Sequence, residues 1–119
     1  MPSKEAIYPR NFARDTLSLP TDPPQIKEIN ATICNLAYLL TVNEEDISSK
    51  PEKVSTMSLH LTEFLVKKSQ ILNNSNKLEE AKRTGILARK FYQENIIFFI
   101  ESDKQSAKNI LTTNGILDK

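Results

Sequence analysis

The order of apolar and polar residues divides the chain into a proline-marked leader and a longer stretch of helical periodicity. From Ile26 the apolar side chains fall at Ile26, Ile29, Ile33, Leu36 and Leu40. This alternating spacing of three and four collects them in one stripe on a helix. Asp22 reads as the cap, with prolines in the first turn and Gln25 three residues on. The acidic run Glu44-Glu45-Asp46 opposes the negative end of a helix dipole, so the first helix is expected to stop near Val42 or Asn43.

A second start signal, Ser49-Lys50-Pro51-Glu52, leads into Val54, Met57, Leu61, Phe64, Leu65, Ile71 and Leu72 on one face. The cluster Asn73-Asn74-Ser75-Asn76 has low helix propensity and good capping chemistry, which predicts an αα-hairpin. A third helix is expected over residues 77–101. It gathers Leu78, Ala81, Gly85, Ala88, Tyr92, Ile96 and Phe99 on one side, with Leu87, Phe91 and Phe98 in a second stripe beside them. An arc that wide predicts a central helix touched by several neighbours, or one that buries its surplus against another chain. Gly85 and the alanines are expected to let helices approach closely. Ser102-Asp103-Lys104-Gln105 then predicts a capped short last helix, closed by Asn114-Gly115 with Ile116 folding back onto it.

The pattern predicts an all-α fold: a small antiparallel bundle of three long helices and a short C-terminal one over residues 22–117. An extended arm, residues 1–21, precedes it. Most of the six prolines lie between residues 2 and 24, where the apolar residues lack a sustained 3.6-residue rhythm. Only two glycines occur in the chain, too few for the corners of a hairpin-rich β protein.

Charge and cysteine narrow the functional classes. Sixteen basic and fifteen acidic side chains leave a formal net charge of +1, so no global field draws the chain to nucleic acid or to an anionic membrane. A single cysteine, Cys34, forms no internal disulfide and suits a reducing compartment, which predicts an intracellular protein of cytoplasm or nucleus. The longest unbroken apolar run, residues 96–100, is far short of the ~20 residues of a membrane span. No export segment is visible, and no membrane insertion is expected.

Candidate chemistry is sparse. His60 has Glu63 one turn away, a pairing common on helix surfaces, and lacks a motif that would make it an acid or base. Cys34 sits mid-helix with no basic neighbour within a turn, so a packing role is the simpler reading. Glu44-Glu45-Asp46 lacks the alternation and turn glycine of a calcium loop. No phosphate loop, zinc motif or serine elbow occurs. The sequence therefore predicts a non-enzymatic chain with no cofactor and no small-molecule substrate; an enzyme with an unfamiliar site, which needs a pocket converging on His60, Cys34 or the acidic stretch, ranks last among the readings.

What remains points to macromolecular partners. The arm carries Tyr8, Phe12, Leu17 and Leu19 in a segment too rich in proline for a core helix, and such anchors are expected to dock on the chain's own helices or in a partner's groove. Together with Leu87, Phe91 and Phe98 they form the expected protein-binding set. The expected function is a protein-interaction module, a small subunit or adaptor of a larger assembly, with self-association a close variant. The rival is a nucleic-acid binder using Lys82, Arg83, Arg89 and Lys90, two basic pairs seven residues apart on one helix. The absence of stacking aromatics beside that strip ranks it second.

Overall fold

The structure is a computed structural model that describes residues 20–42 and 51–117. The anchors Tyr8, Phe12, Leu17 and Leu19, the stretch Glu44-Glu45-Asp46 and the Ser49 cap lie outside the described residues. Among the described residues the fold is all-α. It comprises α1 (Pro24–Val42), α2 (Pro51–Asn74), α3 (Leu78–Glu94), a 3₁₀ turn (Ile96–Phe98) and α4 (Glu101–Thr113), with no strand.

Helix α1 starts one residue later than the aspartate cap predicts. The first intrahelical bond runs from the Lys27 N–H to the Pro23 carbonyl at 3.1 Å, so Pro23 takes the cap position. Pro24 follows in the first turn, where a missing N–H costs nothing. Of the predicted stripe, Ile26, Ile29 and Ile33 are buried and Leu36 is partly buried against the core, while the Leu40 side chain lies outside those described.

The corner between α2 and α3 satisfies its own carbonyls. Asn76 adopts a left-handed φ of 63°, the Lys77 N–H donates to the Leu72 carbonyl at 2.9 Å, and the Asn76 N–H donates to the Asn73 carbonyl. These two bonds form a Schellman end, and asparagine tolerates the left-handed backbone it needs. The same motif closes α4, where Gly115 has φ 71° and the Ile116 N–H donates to the Leu111 carbonyl at 2.9 Å. Ile116 then folds back onto the core, as the sequence predicts.

The centre of the molecule is α2, so of the two readings of the wide α3 arc, a central helix or a surplus face for another chain, the first does not hold. Helix α2 packs against α1, α3, the 3₁₀ turn and α4, whereas α3 meets α4 only lightly. Small polar residues account for the difference. Ser55, Ser58 and Thr62 are buried beside Val54, Leu61, Leu65 and Val66, which widens the buried arc of α2 beyond its apolar residues. The Thr62 hydroxyl donates to the Ser58 carbonyl at 2.9 Å, so its burial leaves no unpaired donor. Each fully buried leucine of this face contributes roughly 1.5–3 kcal/mol. The Cα radius of gyration, 13.8 Å, matches a compact globule.

The predicted third helix over residues 77–101 is broken. Helix α3 ends at Glu94, and the buried Asn95 turns its amide Nδ2 onto the Phe91 carbonyl at 2.9 Å. The Asn95 backbone N–H makes the last helical bond to the same Phe91 carbonyl at 3.1 Å, and the β-branched Ile96 and Ile97 that follow add little helix propensity. After the 3₁₀ turn, the Ile100 N–H donates to Ser55 Oγ at 2.8 Å, and the Ser55 hydroxyl donates to Asp103 Oδ2 at 2.7 Å. Those bonds set the start of α4. Ile100 is its cap residue, without a side-chain capping bond, in place of the predicted Ser102. The break keeps Tyr92 and Phe99 together, their rings 5.5 Å apart and edge to face.

Candidate protein-binding surface

The second stripe predicted on α3 divides between core and surface. Phe91 is only 3% exposed and packs inside the core, while Leu87 and Phe98 are partly buried at its margin. The apolar side chains that do reach solvent are others. Leu78 is 61% exposed on the first turn of α3, and Ile97 is 70% exposed on the 3₁₀ turn between the exposed Ile96 and Ile100. On α1, Tyr38 and Leu39 are exposed as well.

The basic residues of α3 lie where an amphipathic helix puts them. Lys82, Arg83, Arg89 and Lys90 are all exposed, opposite the buried Ala81, Ala88 and Tyr92. At about 100° per residue they fall within roughly 60° of one direction, which is that of Ile86. Ile86, 39% exposed, separates two clefts. The cleft facing α4 has a volume of about 570 Å³ and includes Val66, Ile116, Lys82 and Arg89 in its walls. The cleft facing α1, about 510 Å³, includes Ile26, Leu72, Arg83 and Lys90.

Lys68 stands in the wall of the second cleft and is 8% exposed. Burial pushes its ammonium below the ordinary 10.5, an effect opposed by the charges of Asp22 and Glu80 and by Cys34. Sequence spacing showed no cation near Cys34, because Lys68 arrives from another helix. Cys34 itself is half-buried on α1.

His60 is exposed, its Nδ1 3.0 Å from Glu63 Oε1, the surface pairing that the sequence suggested. Among the described residues no group of three or more His, Cys, Asp or Glu side chains is placed to hold a metal ion. No helix among them is long and apolar enough to cross a membrane. Comparison with family models, with curated proteins and with solved structures found no match to this chain.

Proposed function

We propose that this chain is a non-enzymatic protein-interaction module, a small helical subunit or adaptor of a larger intracellular assembly. It binds through the apolar surface on and just beyond α3 and through the arm of residues 1–21. The observation that supports the reading is the exposure of Ile96, Ile97 and Ile100 within five residues, beside a core able to bury Phe99 from the same segment. Single exposed aliphatic residues are ordinary on protein surfaces, and three of them within five residues favour a contact with another chain.

The test compares affinity capture by three proteins: the intact chain, a copy lacking residues 1–20, and Ile97→Asp. Ile97 contributes little to the core, so the variant is expected to keep its helix content and melting temperature while losing partners that the intact chain retains. Loss on removing the arm assigns part of the recognition to Tyr8, Phe12, Leu17 and Leu19. If all three proteins are monomers with the same empty partner list, the reading is wrong.

A further inference from the structure

On the outer face of α3, four cations surround one aliphatic residue. No acidic residue lies between positions 82 and 90, although the whole chain is almost neutral. Glu79 and Glu94 have the i,i+4 spacing to neutralise Arg83 and Lys90. Among the described residues, however, the ion pairs are His60 with Glu63 and Lys104 with Glu101. None of the four cations of α3 forms an ion pair among the described residues. A solvated face that serves only helix stability gains from mixed signs, and this one forgoes that gain.

We propose that this face of α3 is the docking site for an acidic amphipathic helix of a partner protein; the idea rests on the protein-interaction reading and specifies the partner. The apolar side chains of the incoming helix enter the two clefts on either side of Ile86, and its carboxylates meet the cations on the rims. Dimensions and charge agree with this occupant best at the cleft facing α4, where Lys82 and Arg89 stand with no carboxylate in the walls. The cleft facing α1 instead sets Asp22 and Glu80 beside Lys68, Arg83 and Lys90. Lys82 and Arg89 share the wall of one cleft, and Arg83 and Lys90 that of the other. Each pair is seven residues apart, a rise of about 10.5 Å, and acidic residues at i and i+7 of a facing helix repeat at the same interval. The clefts are walled partly by aliphatic groups, among them Ile26, Leu72, Val66 and Ile116. A nucleic-acid strand has no use for such walls, and the aromatic residues of α3 that would stack on bases, Phe91 and Tyr92, are buried.

The experiment titrates the full chain against a labelled 21-residue peptide of leucine, alanine and glutamate, with leucines at helical i, i+3 and i+4 spacing and glutamates flanking them. Three comparison probes are used: a scrambled peptide of the same composition, a version with lysine for glutamate, and a 20-base-pair DNA duplex. The amphipathic acidic peptide is expected to bind at least about tenfold more tightly than the scrambled one or the duplex. Ile86→Asp and the pair Lys82→Glu with Arg89→Glu should each remove at least about tenfold of that affinity. The melting temperature should stay unchanged, because all three side chains are exposed. The charge-reversed pair should bind the lysine peptide more tightly than the parent chain does, a gain that misfolding cannot produce.

Equal binding of the scrambled peptide would reduce the face to unspecific charge attraction and overturn the proposal. So would tighter binding of the duplex, or no binding of the acidic peptide. Should the acidic peptide fail while Ile97→Asp still loses captured partners, this inference falls and the interaction module stands. Should both fail, the module falls as well.

Discussion

A hydroxyl at position 55 shows how one side chain directs a chain reversal. Ser55 is fully buried, accepts the Ile100 N–H and donates to the Asp103 carboxylate. Ser55→Ala removes both bonds, one of them to an ionised group, and is expected to cost roughly 2–3 kcal/mol, measured by urea unfolding. Lys68 makes a second prediction at this scale. Its folded pKa is lowered, so between that value and 10.5 the unfolded chain binds more protons, and stability rises with pH across the window. Burial raises the Tyr92 phenol above its ordinary 10.0, which acts in the opposite sense: the stability it contributes is present below pH 10.0 and is lost as pH rises through the raised value. Of the two groups, Lys68 therefore sets the slope on the alkaline approach to pH 10.0. Lys68→Met is expected to flatten that slope and to raise the urea midpoint at pH 7.

At the scale of elements, the two glycines have separate roles. A methyl group added at Gly85 meets Ile116 Cγ1 at 3.5 Å, an ordinary contact, so close helix approach does not require glycine there. Gly85→Ala should stabilise the chain by about 0.5–1 kcal/mol through helix propensity. Gly115→Ala has open space but a φ of 71°, and should destabilise by about 1 kcal/mol. Thermal melting of the two variants, moved in opposite directions, tests the pair. These examples also mark how far the sequence could be read. Helix ends governed by local chemistry, such as Asn76 and Gly115, were legible, as was the inward stripe of Ile26, Ile29 and Ile33. The break after Glu94 was not, because the bonds that set the start of α4 come from Ser55, far away in the chain. The centrality of α2 was hidden because Ser55, Ser58 and Thr62 read as polar until their burial is seen. The basic quartet could be read from spacing alone. That Phe91 belongs to the core could not, since a wide apolar arc does not reveal which of its edges meets solvent.

At the scale of the whole molecule, a helix that holds its neighbours together also sets the order in which they assemble. The hairpin of α2 and α3 joins residues close in sequence, while the Ser55 bonds close loops of 45 and 48 residues. Loop closure over such distances loses more chain entropy, so the native structure should grow outward from the hairpin, with the C-terminal helix arriving late. An interaction absent from the transition state acts on escape from the native basin and leaves the climb into it unchanged. Ser55→Ala is accordingly expected to speed unfolding in stopped-flow measurements while refolding keeps its parental rate. On this expectation the buried hydroxyl acts as a latch on kinetic lifetime, lengthening the time the assembled chain persists once formed.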